Sequence, residues 1–395
     1  MEQQIFAPDS ARKVVIGMVA GEASGDMLGA HLIEAFKQHL PDVEFVGIGG
    51  PKMIAAGMRT LFPMEKLAVR GYIEVLRHFF EILAIRRKLI RYFKRNPPDV
   101  FIGVDAPDFN LAVEIQLKKR GIPTIHYVSP SIWAWRGERI RKIGRAVSRI
   151  LAIFPFEKPL YDAARIPATY VGHPLADFLP EAPSKHAKRE QLKLPQDTAI
   201  IAMLPGSRQS ELHYMAELYI RTAQAIALAN PHVQFLAPLV SRETRTYFEE
   251  TLYRLGAQDL PLTILFGHAH DAMIAADAVL VASGTATLEA ALLMRPMVIT
   301  YKMSQASYRI MKRKGYLPYV GLPNILAKHF IVPEILQDDA TPENLAQALL
   351  NIIADPVVGE RLTGVFSRMR RELKQNTADK AVAAILPYLH LEKTI

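Results

Sequence analysis

Residues Ala278–Glu289, AVLVASGTATLE, read as a buried strand, a tight turn and the start of a helix. The five opening residues are apolar and suit a strand buried on both faces, while Ser283 and Gly284 supply the turn. A strand that feeds directly into a helix is the repeating unit of parallel α/β sheets. Because free N–H groups at a helix N-terminus attract anions, Ser283, Gly284 and Thr285 are candidates for binding a diphosphate.

Glu289 lies about one turn into the same helix, where its carboxylate can accept hydrogen bonds from two ribose hydroxyls. The alternative is an ordinary helix start, capped by Ser283 or Thr285, in which Glu289 only favours the helix dipole. The motif by itself leaves both interpretations open.

The alternation of short β-rich runs and helical patterns extends outward from this stretch over the chain, which predicts α/β with parallel sheets. Strands are expected at Val14–Val19, Val43–Gly47, Val100–Val104, Thr124–Val128, Arg149–Ala152 and Thr169–Val171, and in the second half at Ala199–Leu204, Gln234–Pro238, Thr263–Leu265, Ala278–Val281 and Met297–Thr300.

The length of 395 residues suits two domains rather than one. Four prolines fall within Gly172–Pro195, so the junction is expected there. We therefore expect a first domain over residues 1–175, a second over 176–355 and closing helices over 356–395. Two doubly wound, Rossmann-like domains joined in this way would face a cleft between their strand C-termini, where open α/β sheets bind ligands.

A second glycine turn, Pro205-Gly206-Ser207-Arg208, follows the strand Ala199–Leu204. An arginine at a helix start suits fork-like contact with phosphate oxygens, although a solvated surface arginine is the alternative. Two such turns in one domain favour a nucleotide-diphosphate pocket that includes Gly206, Ser207 and Arg208. The sequence has no G-x-G-x-x-G fingerprint and no G-x-x-x-x-G-K-[ST] loop, which argues against a dehydrogenase and an ATPase.

Carboxylates and amides follow two strands of the first half. The segment DAPDFN begins with Asp105 directly after Val100–Val104, and a carboxylate at such a strand end is a candidate general base. The turn GEASGD follows the first strand in the same way. Capping and ordinary turn formation are the alternatives for these segments. The remaining candidates for the acceptor side are Glu22, Ser24, Asp26, Asp108 and Asn110.

Three further residues keep open roles. Trp133 and Trp135 either line a pocket for a sugar or acyl chain or pack in the core. His173, at the expected junction, is either a site residue or part of a solvated loop.

Residues 69–95 form a helical pattern with two apolar stripes instead of the usual one. From residue 70 to residue 95 there are eight Lys and Arg against two Glu. A wide apolar surface flanked by basic residues is typical of a helix that lies on an anionic membrane. Packing against another helix or against a homodimer partner is the alternative, whereas nucleic-acid binding leaves the apolar surface unexplained. The expected membrane contacts are Ile73, Leu76, Phe79, Phe80, Ile82 and Leu83.

Composition narrows the classes further. The chain has no cysteine, which excludes disulfides, thiolate metal sites and cysteine nucleophiles. The formal net charge is +9, and the first 180 residues hold 25 Lys and Arg against 18 Asp and Glu, which favours an anionic partner. No apolar run is long enough to span a membrane, and residues 1–10 do not resemble a signal peptide. We therefore expect a cytoplasmic protein without membrane spans.

Together these motifs resemble the lipid-A-disaccharide synthases, inverting glycosyltransferases of the Gram-negative outer-membrane lipid pathway. The resemblance covers nearly the whole chain. It is carried by the blocks Gly21–Asp26, Asp105–Asn110, His126–Trp135, Gly206–Arg208, Ser283–Glu289 and Leu322–Asn324. It implies the GT-B fold of two Rossmann-like domains, in which the C-terminal domain binds the nucleotide sugar and the final helices return to the N-terminal domain.

The resemblance also implies the reaction. UDP-2,3-diacylglucosamine donates its sugar to the 6-hydroxyl of 2,3-diacylglucosamine 1-phosphate, which gives a β-1,6 disaccharide and UDP at the cytoplasmic face of the inner membrane. Asp105 would deprotonate the acceptor hydroxyl, while Arg208 and the helix start at Ser283–Thr285 would stabilise the departing diphosphate without a metal or a cofactor. Asn324 would be a further UDP ligand, as, by a looser match, would Glu334 and Gln337.

Two other functions compete with this one. A UDP-sugar epimerase of the same fold would need the UDP pocket but no lipid surface. A non-catalytic basic protein that binds membranes or nucleic acid would leave both phosphate turns and Asp105 without a purpose. Protection from thermal unfolding by UDP, but not by NAD or RNA, discriminates among the three.

Overall fold

The computed structural model describes residues 13–67, 72–134 and 137–389, except for the side chains of residues 72–79, 310 and 314. The chain divides into two compact units. The first unit contains the residues up to Asp177 and those from Glu372 onward, and the second contains Phe178–Arg371.

The first unit is a seven-stranded sheet in the order β3-β2-β1-β4-β5-β6-β7, with every neighbouring pair parallel. Its strands are β1 Val15–Ala20, β2 Glu44–Ile48, β3 Met58–Thr60, β4 Val100–Val104, β5 Thr124–Tyr127, β6 Arg149–Ala152 and β7 Ala168–Tyr170. The helices are α1 Ala23–His39, α2 Pro51–Ala55, α3 Tyr72–Arg95, α4 Pro107–Lys118, α5 Ile140–Ala146, α6 Glu157–Ala163 and α7 Pro174–Phe178, and α17 Thr377–Ile385 closes the chain.

The second unit is a six-stranded parallel sheet in the order β10-β9-β8-β11-β12-β13. Its strands are β8 Ile200–Leu204, β9 Gln234–Leu239, β10 Leu262–Phe266, β11 Ala278–Ala282, β12 Met297–Tyr301 and β13 Glu334–Leu336. Its helices are α8 Lys185–Gln191, α9 Gln209–Ala229, α10 Arg242–Arg254, α11 Ala269–Ala275, α12 Thr285–Leu292, α13 Gln305–Lys314, α14 Leu322–Ala327, α15 Pro342–Ala354 and α16 Pro356–Leu373.

Both sheets are doubly wound, because the strand order reverses once in each. The reversal lies between β1 and β4 in the first unit and between β8 and β11 in the second. Open α/β sheets bind ligands at such switch points, beyond the carboxyl ends of the strands. The turns after these four strands therefore mark the expected site in each unit.

The predicted α/β class is confirmed, and each of the eleven expected strands is present with ends shifted by at most one residue. The two strands that the sequence did not suggest, β3 and β13, have three residues each and lie at sheet edges. Neither is a continuous buried run, so the hydrophobic signal that reveals a central strand is missing from both.

The C-terminal segment returns to the first unit at Glu372, later than the expected residue 356. Helix α16 stays with the second unit because Phe366 is buried and Arg370 donates hydrogen bonds to the carbonyl oxygens of Pro180 and Leu292. Helix α17 packs on the first unit, where it contacts α1, and Tyr388 beyond it accepts a hydrogen bond from Arg149 Nε. Over the described ranges, no helix is both long and apolar enough to cross a membrane.

Candidate active site

Asp105 occupies the switch point of the first unit, directly after β4. Its φ is +52° and that of Ala106 is +43°, so two consecutive non-glycine residues adopt the left-handed conformation. Such backbone is uncommon and persists where surrounding contacts hold it, often at functional sites. Here the Asp105 N–H donates to the Tyr127 carbonyl over 2.8 Å, and the Asp105 carbonyl accepts from Asn110 Nδ2 over 2.8 Å.

The Asp105 side chain is half-buried, and no described group forms a hydrogen bond or ion pair with its carboxylate. Across β1, the other turn of the switch point comes close: a Cβ added at Gly21 would lie 2.8 Å from the Cβ of Ala106. Glu22 and Ser24 are exposed at the start of α1. The arrangement brings a fixed, unpaired carboxylate beside two exposed polar side chains.

A fully buried acid–base pair lies behind Asp105. His126 Nδ1 is 2.7 Å from Glu114 Oε1, and neither side chain is exposed. Gly103 makes room for it, since a Cβ there would lie 2.2 Å from Glu114 Oε1. Burial opposes a charged imidazole, but the Glu114 carboxylate outweighs it and raises the pKa of His126, with a smaller contribution from Asp105. Sequence reasoning missed this pair.

Asp26 and Asn110 serve the local structure instead of being exposed to a ligand. The Asp26 carboxylate is buried and accepts hydrogen bonds from the N–H groups of Gly50, Lys52 and Met53, so it holds the start of α2. Asp26 therefore has a structural role in this unit, and its predicted place on the acceptor side stays a prediction. Asn110 is fully buried and fixes the Asp105 turn from beneath.

Asp108 is on the surface in an ion pair. Its Oδ1 lies 2.9 Å from Arg139 Nη2, and its side chain is 76% exposed. At this exposure the pair stabilises the fold by at most about 1 kcal/mol.

An aromatic cluster surrounds Glu157 near the ends of β6 and β7. Trp133 Nε1 donates to Glu157 over 3.1 Å, and the Trp133 ring meets Phe156 edge-on. Burial raises the pKa of Glu157 to about 7, against the hydrogen bonds that favour its ionised form. His173 is also buried, and burial lowers its pKa to about 4. Trp135, the other tryptophan singled out in the sequence, lies outside the described residues.

In the second unit, the turn after β8 is held by Glu211. Its Oε2 accepts hydrogen bonds from the N–H groups of Ser207 and Arg208 over 3.0 and 3.2 Å. Gly206 has a φ of +125°. The Arg208 side chain is 59% exposed, with Nη1 3.7 Å from Glu211 Oε1. The guanidinium, not these two N–H groups, is therefore the part of the turn available to an anion.

The turn after β11 presents the N-terminus of α12. Gly284 and Thr285 are exposed, while Ser283 Oγ donates to the Val320 carbonyl over 3.1 Å. Thr287 Oγ1 donates to the Gly284 carbonyl and accepts from the Leu322 N–H, which ties the turn to the next loop. Glu289 is partly buried one turn into α12, where its Oε2 accepts a hydrogen bond from His270 Nε2 over 2.9 Å.

Asn324 is fully buried and holds the loop before β13. Its Nδ2 donates to the Val332 carbonyl and to Glu334 Oε1, and its Oδ1 accepts from the N–H groups of Ile331 and Val332. These four bonds use its hydrogen-bonding capacity, which favours a positioning role, and the expected direct contact with UDP stays a prediction.

Glu334 and Gln337, the looser matches, also bind backbone. The Glu334 carboxylate accepts from the N–H groups of Val320 and Gly321, each over 2.9 Å. Gln337 Oε1 accepts from the Met303 N–H over 3.1 Å. Glu334, which Asn324 also contacts, therefore fixes the loop that meets the α12 turn, whereas Gln337 holds the segment after β12.

The C-terminal half of helix α3 packs on the sheet of the first unit. Ile85, Leu89 and Phe93 are buried, and the Phe93 ring meets Phe101 of β4 edge-on at 5.6 Å. Phe80 is 78% exposed. Ile82 and Leu83 are half-buried, whereas the side chains of Ile73, Leu76 and Phe79 lie outside the described residues. Several basic residues of this helix are exposed, namely Arg87, Lys88, Arg91, Lys94 and Arg95.

Two parallel, doubly wound sheets of this kind are the domains of the GT-B fold. A solved structure of the UDP-GlcNAc 2-epimerase from Neisseria meningitidis, bound to UDP-GlcNAc, is similar to this chain with a TM-score of 0.63. The likeness covers 95% of this chain and 100% of that one at 13% sequence identity, so it concerns the fold alone.

Sequence comparison identifies the family. The model of the lipid-A-disaccharide synthetase family matches residues 16–386. The lipid-A-disaccharide synthase of Methylobacillus flagellatus is 59% identical over 95% of this chain and 99% of its own length. That of Dechloromonas aromatica is 58% identical over 95% and 99%. The chain belongs to the lipid-A-disaccharide synthase family and is a hexosyltransferase that forms the lipid A disaccharide.

Proposed function

We propose that Asp105 is the general base of this transfer. The acceptor is 2,3-diacylglucosamine 1-phosphate, and its 6-hydroxyl attacks the anomeric carbon of UDP-2,3-diacylglucosamine. Asp105 takes the hydroxyl proton as the new β-1,6 bond forms and the bond to UDP breaks. The observation that carries this role is the Asp105 carboxylate, which pairs with no group in the described part of the chain and is held on left-handed backbone at the switch point of the first sheet. A base fixed in this way needs little reorganisation in the transition state.

The acceptor sugar is bound beside Asp105 by Glu22 and Ser24. Both side chains are exposed at the start of α1, and their turn touches the Asp105 turn through Gly21 and Ala106. Asn110 supports the same turn through the Asp105 carbonyl, whereas Asp108 lies on the surface in its pair with Arg139. Glu22 and Ser24 hydrogen-bond sugar hydroxyls, and the buried Asn110 keeps the base in place.

UDP is bound by the two turns of the second unit. The Arg208 guanidinium and the positive end of α12, at Ser283, Gly284 and Thr285, stabilise the charge that develops on the diphosphate. Gly206 and Ser207 shape the Arg208 turn around Glu211. The α12 turn is preorganised by hydrogen bonds within the unit, which favours electrostatic stabilisation of a leaving group.

The ribose is bound by Glu289. One carboxylate oxygen accepts a hydrogen bond from His270, so the side chain is oriented before a nucleotide arrives. Asn324 acts indirectly, by fixing its own loop. The Leu322 N–H in the same region donates a hydrogen bond to Thr287 in the first turn of α12.

Helix α3 attaches the enzyme to the cytoplasmic face of the inner membrane. The buried residues of its C-terminal half pack on the sheet, while Phe80 and the basic side chains remain exposed. Apolar contact with acyl chains and attraction to anionic headgroups together bind such a helix at a bilayer surface. Self-association through this helix is the competing explanation.

Product analysis tests the proposed reaction. The purified protein is given UDP-2,3-diacylglucosamine with and without the acceptor, and products are identified by mass spectrometry and by NMR of the new linkage. We expect a β-1,6 disaccharide and stoichiometric UDP, both dependent on the acceptor. Conversion of the donor to an epimer without an acceptor would instead assign the site to epimerase chemistry.

A further inference from the structure

An open, mostly apolar cavity of about 310 Å³ lies at the surface of the first unit, at the edge of the sheet near β2 and β3. Its lining is formed by the loop after β2, by α2 and by the segment that follows β3. Its lining includes Gly49, Gly50, Ile54, Thr60, Phe62 and Met64, together with the charged Glu65. No role has so far been assigned to this cavity.

The wall of the cavity is held in place by the buried carboxylate of Asp26. Asp26 holds the N–H groups of Gly50 and Lys52, which fixes the loop after β2 and the start of α2. A Cβ at Gly50 would lie 2.6 Å from Asp26 Oδ2 and 2.7 Å from Met64 Cε, so a side chain at this position does not fit. The wall is therefore a feature of the fold, shaped by a buried carboxylate.

The cavity and Asp105 lie at the same level of the sheet. Val19 of β1 pairs with Ile48 on one side and with Gly103 on the other. Gly50 and Asp105 each lie two residues beyond those partners. Two strand spacings separate them, about 10 Å. An acyl chain on a sugar held at Asp105 is long enough to span that distance.

The chemistry of the lining suits a hydrocarbon. The volume is about twice the ~150 Å³ of an apolar cavity that holds benzene. The lining has two polar side chains: Thr60 already donates to the Phe62 carbonyl over 2.8 Å, and Glu65 is exposed to solvent. Sugars and nucleotides need several polar partners, whereas an acyl chain needs none.

The segment at the cavity rim continues toward α3. Lys66, two residues after the lining residue Met64, forms an ion pair with Glu81 of α3 at 2.6 Å. The segment that lines the cavity therefore continues into a direct contact with the helix that we assign to the membrane surface.

We propose that this cavity binds one acyl chain of the acceptor, with its sugar at Asp105. The proposal rests on the proposed function, which brings the acceptor to that carboxylate. Acyl chains also occur on the donor, and the test below separates the two sources. A chain held in this way positions the sugar ring and makes acceptor affinity depend on chain length.

Two variants fill the cavity from different sides. Thr60→Trp places an indole ring in the cavity from β3, an edge strand that tolerates aromatic residues. Ile54→Trp places an indole ring there from α2. Ala55→Trp is the matched control, because Ala55 is exposed on the same helix and is not a lining residue. For each protein, KM and kcat are measured for acceptor and donor analogues of short and long acyl chains. The thermal midpoint reports on folding.

In the wild type, we expect the acceptor KM to fall on the order of tenfold for every two methylene groups that enter the cavity. Both filled variants should lose most of this dependence. They should keep kcat for the shortest acceptor within about twofold, as surface substitutions usually do. The donor's chain-length dependence and the Ala55→Trp control should match the wild type.

Two results would overturn the proposal while leaving the proposed function intact. One is an unchanged acceptor dependence in both filled variants. The other is loss of the donor's dependence in place of the acceptor's. If the wild type forms no disaccharide from either chain length, the proposed function itself fails and this assignment fails with it.

Discussion

His270 donates a hydrogen bond from Nε2 to Oε2 of Glu289 over 2.9 Å. The bond joins the start of α11 to the first turns of α12 and orients the carboxylate that we assign to the ribose. The bond to Glu289 raises the pKa of His270, which outweighs the opposing effect of partial burial.

This relationship predicts that His270→Ala weakens UDP binding although His270 need not touch UDP. Losing one hydrogen bond to a charged group corresponds to roughly tenfold in Kd. Glu289→Gln should weaken binding at least as much, and adding His270→Ala to it should have little further effect. Isothermal titration calorimetry with UDP measures all four proteins. Additive losses in the double variant would show that the two side chains act independently.

Arg208 should act mainly on the transition state. Its guanidinium is more than half exposed and paired with Glu211 only at 3.7 Å, so it is free to follow the charge that develops on the diphosphate. Arg208→Ala should lower kcat by roughly 100-fold, similar to the loss of one preorganised donor at a developing anion. Arg208→Lys should recover part of it, because lysine keeps the charge but not the fork. Equal activity of all three proteins would remove Arg208 from the mechanism.

Acid should destabilise the protein through His173. Its Nδ1 accepts a hydrogen bond from the Leu175 N–H, and burial lowers its pKa from 6.5 to about 4. The unfolded chain therefore takes up a proton first as pH falls. The contribution of neutral His173 to stability is fully present above pH 6.5 and is lost between pH 6.5 and about 4. Over that range, the free energy of unfolding falls by up to about 1.4 kcal/mol for each pH unit.

The matched variant is His173→Asn, which keeps an acceptor for the Leu175 N–H but does not titrate. Urea unfolding across this pH range should show a shallower acid slope for the variant, even if its stability at neutral pH is lower through loss of the Phe154 contact. Parallel slopes for the two proteins would refute the assignment to His173.

Membrane binding should depend on Phe80. Withdrawing one large apolar side chain from lipid costs about 1.5–3 kcal/mol, so Phe80→Ser should weaken binding to anionic vesicles at least tenfold. Its thermal midpoint should change little, because the ring is 78% exposed. Salt should release the wild type, since exposed basic side chains act through a screened field.

Two controls accompany this measurement. Val357→Ser removes an exposed apolar side chain from the second unit and should bind vesicles as the wild type does. Phe93→Ser, in the buried half of α3, should lower stability by about 3–5 kcal/mol. If Phe80→Ser instead dissociates a dimer and leaves vesicle binding unchanged, helix α3 is a protein interface.

The sequence was sufficient to predict the parts of the fold that have a local signal. Strand β4 is a run of five buried residues, and its bounds were predicted correctly. The turn at Asp105 follows from that run, as does the turn at Gly284 from β11. Strands β3 and β13 escaped prediction because their three-residue edge pairing depends on neighbours and not on their own hydrophobicity.

The site was less predictable where side chains act over long sequence separations. Asp26 resembles an exposed turn residue, yet its partners are Gly50, Lys52 and Met53, and only folding brings them together. The same holds for Glu289 with His270. Glu211 left a local signal, because it lies at the third helical position after the Arg208 turn, where a capping box places an acid.

The role of Asp105 as the general base is tested most directly by measuring both kcat and UDP affinity for Asp105→Asn. The amide keeps the shape of the side chain but cannot take a proton, and general-base catalysis contributes about 10²–10⁴ in rate. The matched control is Asp108→Asn, whose exposed carboxylate only pairs with Arg139. We predict that Asp105→Asn lowers kcat at least ~100-fold with UDP binding unchanged, while Asp108→Asn stays close to the wild type. An Asp105→Asn enzyme that keeps about a tenth or more of wild-type turnover would contradict the assignment of Asp105 as the base.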